Sequence, residues 1–245
     1  MSRAGLIVAL SIALSAGLIL ALFPSIDLRV AKTLSESALA SSPIMAVVRN
    51  FGFWIELLLA AFPFVALIIK LLLPRSRMLM PGRAAVFLIT TLVLGPGLLV
   101  NVALKDNWGR PRPGHLMQFG GDQNFVAWWD PTGPCERNCS FVSGESAAAF
   151  WTIAPAALAP LGWRALAYTA AITFGATISI SRMITGGHFL SDVTFAGVFT
   201  FLIIWLVYAL VYRWPSTQLD DAAVEKALAH ISIYCRAAIA RLLGH

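Results

Sequence analysis

Six long apolar stretches leave this chain few ways to fold. They cover residues 4–23, 51–73, 84–104, 146–161, 165–180 and 193–212. A helix needs about 20 mostly apolar residues to cross the hydrocarbon core of a bilayer, where every backbone polar group must be paired within the protein. Hydrophobic residues make up 58% of the sequence and charged residues only 12%, which excludes an ordinary soluble domain. The sequence therefore predicts an all-α, polytopic membrane protein built as a six-transmembrane-helix bundle.

The first apolar stretch could instead be a signal peptide, since Arg3 gives it a basic start. Its length favours a membrane span. So does its end at Phe23-Pro24, where a signal peptide would carry small residues at a cleavage site.

The loop between the second and third stretches sets the orientation. Residues 74–83 include three arginines and no acid, which is typical of a loop on the cytoplasmic side. We therefore expect a multi-pass protein of the bacterial cytoplasmic (inner) membrane with its N-terminus inside. Residues 1–213 would form the helix bundle, and residues 214–245 a cytoplasmic tail.

Three short polar patches interrupt the apolar pattern. The first patch is K-x6-R-P at Lys105, the second is S-G-E at Ser143, and the third is S-R-x5-H-x3-D at Ser181. They follow the third span, precede the fourth, and connect the fifth to the sixth. The first two patches share one loop, and two spans separate that loop from the third patch. All three therefore lie on one face of the membrane, which in the predicted orientation is the periplasmic face. Together they can form one site.

The first patch supplies cations suited to phosphate. Pro111 and Pro113 stiffen the backbone around Arg112, whose guanidinium offers a planar fork of donors, and Lys105 adds a compact charge. Basic residues near helix ends can also extend toward lipid head groups. Convergence with Arg182 and a His/Asp pair favours a phosphate site.

The third patch supplies a nucleophile. His188 and Asp192 are four residues apart, so they share one helix face, and a carboxylate can stabilise the cation that forms when imidazole attacks phosphorus. This predicts a phosphohistidine intermediate. Alternatively His188 is only a satisfied residue at a helix start, where the helix dipole favours Asp192. Gly186-Gly187 before it favours the close backbone approach of a phosphate site.

The second patch lies where the fourth span begins. The Ser143 hydroxyl and the backbone amides of a helix N-terminus form a natural anion site. The simpler alternative is that Ser143 only caps the helix, with Glu145 in its first turn.

The three patches together resemble the type 2 phosphatidic acid phosphatase (PAP2) superfamily over residues 84–212. The first and third patches match the family motifs K-x6-R-P and S-R-x5-H-x3-D in full. The family's middle motif, P-S-G-H, is altered here, because Val142 replaces its proline and Glu145 its histidine.

The resemblance implies a membrane phosphatase that needs no metal or other cofactor and removes a terminal phosphate from a lipid. Lys105, Arg112 and Arg182 would bind the phosphate, and Ser143 and the Gly144 amide would complete its cradle. His188 would attack, and Asp192 would orient it. Candidate substrates are lipid A 1-phosphate, undecaprenyl diphosphate, phosphatidylglycerol phosphate and phosphatidic acid. The partners are then the lipid substrate and the bilayer, without nucleic acid, and the oligomeric state stays open.

Glu145 raises a separate question, because the family histidine that it replaces protonates the leaving oxygen. Three interpretations remain: Glu145 is the acid, His115 substitutes for it, or the leaving group needs little help, as with a diphosphate or an anomeric phosphate. We favour Glu145 because of its position. A carboxylic acid donates a proton only if its pKa is raised, which nearby Lys and Arg oppose.

Two functions of other classes are also compatible with the sequence. One is a phosphotransferase, or a non-catalytic lipid-phosphate binder or transporter, that uses the same cradle. The other is a metal-dependent transferase that uses the carboxylates Asp106, Asp122, Asp130 and Glu145, whose spacing matches no carboxylate motif.

Outside the patches, two features give structural expectations. Cys135 and Cys139 favour a small disulfide over a metal site, and Cys235 is expected to be a free thiol. The tail shows apolar residues at helical spacing opposite Lys226, Arg236 and Arg241, which predicts an amphipathic helix on the cytoplasmic leaflet or against another protein.

Overall fold

Helices account for the regular structure of the computed structural model, which describes residues 1–242 and contains no β-strand within them. Two helical segments continue as π-helix, with the wider turns of that form. The helices are α1 Arg3–Leu22, α2 Ser25–Ser35, α3 Ile44–Leu72, α4 Gly82–Leu92 with π-helical Val93–Leu104, α5 Gly144–Trp151, α6 Ile153–Ala157, α7 Leu161–Ile184, α8 Leu190–Tyr208 with π-helical Ala209–Arg213, and α9 Asp221–Leu242.

All six predicted spans are helical, which confirms the all-α class. By length and composition, four segments among the described residues can cross a membrane: α1, α3, and the two helices that continue as π-helix. The fourth predicted span is broken at Thr152 into α5 and α6, and the fifth is α7. The boundaries differ most at α3, which begins seven residues before the predicted start. The chain is thus a helical membrane protein.

The α5 helix lies at the centre of the bundle, between α7 and α8. Its small residues Ala147 and Ala149 are completely buried, so neighbouring backbones can approach closely. On α7, Gly175 faces the Phe150 ring so closely that a Cβ there would lie 2.3 Å from Phe150 Cδ1. Short side chains thus let α5, which carries the second patch, sit inside the protein rather than against lipid.

Two elements at the site end of the bundle have features that the hydropathy pattern did not predict. The helix α2 follows directly after α1 and buries Asp27 and Ala31. The π-helical stretch after α4 contains Pro96, which has no backbone N–H to donate, and it ends just before Lys105. Stretches of π-helix are frequently found at functional sites. Both elements bring polar side chains toward the three patches.

The tail forms the predicted helix, α9, and packs against this chain's own helices at the opposite end of the bundle. Glu225 accepts hydrogen bonds from Lys70 Nζ at 3.0 Å and from the Met78 amide at 2.9 Å. Asp221 accepts one from the Arg83 amide at 3.0 Å. The side chains of Ile239, Arg241 and Leu242, which the predicted amphipathic pattern includes, and residues 243–245 lie outside the described part. The cytoplasmic location of the tail stays a prediction.

The contact between α5 and α7 gives a test of the packing. We expect Gly175→Ala to destabilise the protein by about 2 kcal/mol, because the added methyl group cannot fit beside Phe150 without repacking. Gly162→Ala is the matched control, since a Cβ at that glycine, also in α7, meets nothing within 4 Å. Unfolding in detergent micelles measures the difference, and equal midpoints for the two variants would contradict this account.

Candidate active site

His188 lies at the centre of the candidate site, in the short link between α7 and α8. The side chain is only 2% exposed. Its Nδ1 lies 2.8 Å from the Ser140 carbonyl oxygen, which can only accept, so the proton is on Nδ1 and Nε2 keeps its lone pair. Gly186 permits the tight turn that precedes it, with a left-handed φ of 67°. The fold therefore fixes the imidazole with Nε2 available for attack.

Asp192 lies near His188 but does not bond to it directly. Its Oδ2 is 3.7 Å from His188 Nδ1, beyond hydrogen-bond distance. The same oxygen accepts bonds from the Ser140 hydroxyl and from the Phe189 amide at 2.7 Å. Asp192 thus holds Ser140, whose carbonyl orients the imidazole, and its negative charge faces the ring.

The pKa of His188 is lowered from its ordinary value, mainly because burial disfavours the imidazolium. The nearby Asp192 carboxylate opposes this, whereas the charges of Arg112 and Arg182 reinforce it. His188 is therefore neutral at pH 7, which is the form that can attack phosphorus.

The three cations of the first and third patches lie close to one another, and the charges of Arg112 and Arg182 act on the imidazole. Arg182 is buried, and its Nε has no hydrogen-bond partner within residues 1–242. Arg112 donates to the Asn138 carbonyl oxygen and, at 2.8 Å, to its side-chain oxygen. Burial and then the charge of Arg112 lower the pKa of Lys105, with a smaller contribution from Arg182, although Glu145 and Asp106 oppose them. Crowded cations of this kind bind an anion favourably.

Ser143 and Gly144 form the N-terminus of α5. The Ser143 hydroxyl caps the helix by accepting from the Ser146 amide at 3.3 Å, and it also accepts from the Ser146 hydroxyl at 2.8 Å. Its own hydrogen is left to donate. A Cβ at Gly144 would lie 2.6 Å from Asn101 Oδ1 and 3.4 Å from Lys105 Nζ, so the missing side chain lets the helix start lie close to Asn101. Ser143 therefore does cap the helix, the role that the sequence analysis gave as the simpler alternative.

Glu145 is paired with arginines in this structure. Arg49 of α3 donates to both carboxylate oxygens, at 2.9 and 2.8 Å, and Arg182 Nε lies 3.4 Å from Oε2. Burial raises the pKa of Glu145, but the Arg49 hydrogen bond and the charges of Arg182 and Arg49 outweigh it, so the net shift is downward. The carboxylate is ionised here, which does not favour a proton donor. Its assignment as the acid stays a prediction.

The alternative donor, His115, is exposed on a short turn next to the site. The Gly114 amide ties this turn to the Gly186 carbonyl oxygen at 3.0 Å. The His115 side chain makes no hydrogen bond within the described residues. No group of three or more His, Cys, Asp and Glu residues in the described part could hold a metal ion.

Arg110 and Asp27 were not recognised in the sequence. The Arg110 guanidinium is completely buried and donates to Asp192, to Asp27 Oδ2 at 2.8 Å and to the Ser191 hydroxyl at 2.7 Å. Asp27 also accepts from the Ser191 amide at 2.9 Å and from its hydroxyl at 2.6 Å. In the sequence, Arg110 is marked only as a second arginine in the R-P-R-P run, and Asp27 only as an acid beside an apolar stretch.

The predicted disulfide between Cys135 and Cys139 is confirmed, and Cys235 is free and exposed. The disulfide loop pairs with the first patch through two backbone bonds, from Cys135 to the Gly109 carbonyl at 2.9 Å and from Cys139 to the Lys105 carbonyl at 3.0 Å. Between the two cysteines lies Asn138, which holds Arg112. The disulfide therefore stabilises the loop that orients one of the site's cations.

Comparisons with known proteins agree with this geometry. The family model described as "PAP2 superfamily" matches residues 84–216. A lipid A 4'-phosphatase of Francisella tularensis subsp. novicida is 35% identical over 220 residues, which cover 87% of this chain and 98% of the relative. A lipid A 4'-phosphatase of Rhizobium etli is 38% identical over 136 residues, and one of Rhizobium leguminosarum is 39% identical over 123. These matches span 51% and 52% of the Rhizobium proteins. No solved structure matches.

The buried position of Arg110 can be tested with Arg110→Lys. We expect a loss of about 3 kcal/mol of stability together with most of the phosphatase activity, because lysine keeps the charge but cannot bridge Asp27 and Asp192. Arg137→Lys, an exposed position in the same loop, is the matched control. Thermal unfolding in micelles and phosphate release are the measurements, and similar behaviour of the two variants would refute the bridging role.

Proposed function

This chain belongs to the PAP2 superfamily and is a lipid phosphate hydrolase of the membrane, and we propose that it removes the phosphate monoester of a lipid A-type glycolipid through a phosphohistidine intermediate. The observation that carries the mechanism is the buried, neutral His188, whose Nδ1 is held by the Ser140 carbonyl while the charges of Arg112 and Arg182 act on the ring. The lipid A 4'-phosphatases similar to this chain support the choice of substrate.

In the first step, Nε2 of His188 attacks the phosphorus atom. A nitrogen–phosphorus bond forms while the bond from phosphorus to the sugar oxygen breaks, and that oxygen leaves with a proton. In the second step, water attacks the phosphohistidine, the nitrogen–phosphorus bond breaks, and inorganic phosphate is released. Asp192 stabilises the positive charge on the ring between the two steps, from 3.7 Å away.

The phosphate oxygens are bound by groups that the fold brings together around His188. Lys105, Arg112 and Arg182 offset the charge that develops in the transition state, and the buried Nε of Arg182 makes no hydrogen bond within residues 1–242. The Ser143 hydroxyl and the Gly144 amide donate from the N-terminus of α5. The cradle therefore needs no metal ion.

The leaving group decides whether an acid is needed. When the phosphate is on an ordinary sugar hydroxyl, the sugar oxygen leaves as an alkoxide, which is a poorer leaving group than the phosphate released from a diphosphate or the anomeric oxygen released from a 1-phosphate. A 4'-phosphate therefore requires a proton donor, and we assign this role to Glu145, with His115 as the alternative. Because the pKa of Glu145 is shifted downward, this role requires that substrate binding change its protonation.

The site opens toward the periplasm in this proposal. The arginine-rich loop before α4 lies at the other end of the bundle from His188, so a cytoplasmic position for that loop puts the site outside. Substrate would then come from the outer leaflet of the inner membrane.

A panel of lipids tests the substrate. Purified protein should release phosphate from lipid A with or without chelator, and mass spectrometry should show loss of the 4'-phosphate, with much slower release from phosphatidic acid, phosphatidylglycerol phosphate and undecaprenyl diphosphate. His188→Ala should abolish release, and His230→Ala, an exposed histidine of α9, should not. Exclusive loss of the 1-phosphate, or activity of His188→Ala, would overturn the proposal.

The pH dependence tests the His188–Asp192 relation. Since neutral His188 attacks, kcat/KM rises with pH through the pKa of His188, and burial places this rise below the ordinary value of 6.5. Asp192→Asn removes a group that raises this pKa, so the rise should move to still lower pH while kcat falls by about 10³-fold. An unchanged pH profile would contradict an electrostatic role for Asp192.

A further inference from the structure

The Glu145 carboxylate and a substrate phosphate compete for the same cations. Arg182 Nε lies 3.4 Å from Glu145 Oε2, and Arg182 belongs to the proposed phosphate cradle. A phosphate dianion placed there would bring like charges together, which favours the protonated form of a carboxyl group. Binding of phosphate therefore has to be linked to a change at Glu145.

Arg49 is the second partner of Glu145, and it comes from outside the region that the family model matches. Its fork reaches both carboxylate oxygens, a geometry that also fixes the direction of the carboxylate. The reach is possible because α3 approaches α7 closely at Gly52, where a Cβ would lie 2.4 Å from Ile178 Cδ1. The fold therefore brings Arg49 to the altered second motif.

We propose that Arg49 is a positioning residue that acts through Glu145. In this structure it holds the ionised carboxylate beside the cradle, and when phosphate binds, Glu145 takes up a proton that it then donates to the leaving oxygen. Atoms and charges balance: the proton joins the oxygen as its bond to phosphorus breaks, and Glu145 returns to the carboxylate. This inference deepens the proposed function and rests on it.

The charged groups around Glu145 explain why Arg49 in particular matters. From the cradle and the α7–α8 link, Lys105, Arg112, Arg182 and His188 face it, and from α3, Arg49 and Glu56. A bound phosphate dianion offsets the cations of the cradle. Arg49 is then the cation that still acts on Glu145, and it keeps the pKa of the protonated carboxyl group low enough for the proton to be released.

Glu145 also has access to water for proton uptake. A cavity of about 310 Å³ adjoins the site between α3 and α7, and both Arg49 and Glu145 line it. The Arg49 side chain is 56% exposed and that of Glu145 is 35% exposed. This distinguishes the pair from the buried Arg110 pairs, which are closed to solvent.

Binding of inorganic phosphate tests the linkage without turnover. Calorimetry in two buffers of different ionisation heat measures proton uptake, and His188→Ala is the background because it cannot be phosphorylated. We expect proton uptake on phosphate binding, and Glu145→Gln should abolish it. When Arg49→Ala is added instead, the uptake should persist to a pH about one unit higher. Arg29→Ala, an exposed arginine of α2, is the control and should change nothing. Uptake that does not depend on Glu145 would overturn the inference.

Turnover gives the second test. The falling limb of the pH–rate profile should move to higher pH in Arg49→Ala, move by less in Arg49→Lys, and stay unchanged in Arg29→Ala. In a Glu145→Gln background, Arg49→Ala should have no further effect on kcat. A loss of phosphate affinity in that double variant would mean that Arg49 binds phosphate directly, against this inference. Proton uptake without hydrolysis of any lipid would instead refute the proposed function alone.

Discussion

The site depends on one buried interaction, the Arg110 guanidinium between Asp27 and Asp192. A charge taken out of water destabilises a protein unless its partners and hydrogen bonds are complete, and here they are. The Phe189 and Phe125 rings cover the guanidinium, at 4.3 and 5.5 Å from their centroids. Because the partners come from α2 and α8, this one side chain fixes how the start of the chain meets the third patch.

Two sets of charges with opposite properties meet at His188. The Arg110 set is fully paired and closed to water, so it fixes geometry: it holds Asp192, which holds Ser140, whose carbonyl orients the imidazole. The set of Lys105, Arg112 and Arg182 is crowded and incompletely paired, so it retains the capacity to bind an anion. A rigid nucleophile with available positive charge beside it is what the proposed attack on phosphate requires.

Local patterns predicted a large part of this arrangement. Hydropathy located the spans, parity put the patches on one face, and short spacings located the His188–Asp192 turn and the disulfide. Contacts between distant segments could not be predicted. Asp27 and Arg110 are 83 residues apart and Arg49 and Glu145 are 96 apart, and no periodicity connects such pairs. The hydrogen bond of His188 to a backbone carbonyl rather than to Asp192 could not be predicted either, because no sequence pattern marks a backbone acceptor.

The position of Arg49 in α3 has a consequence for how such proteins diverge. The recognisable family region, residues 84–216, contains the acid of the second motif but not the arginine that holds it. A chimera that joined this region to the first spans of a relative with histidine in that motif would carry Glu145 without its arginine partner. Under the proposal above, the residues at positions 49 and 145 should therefore change together during evolution, and the inherited unit would be larger than the three patches.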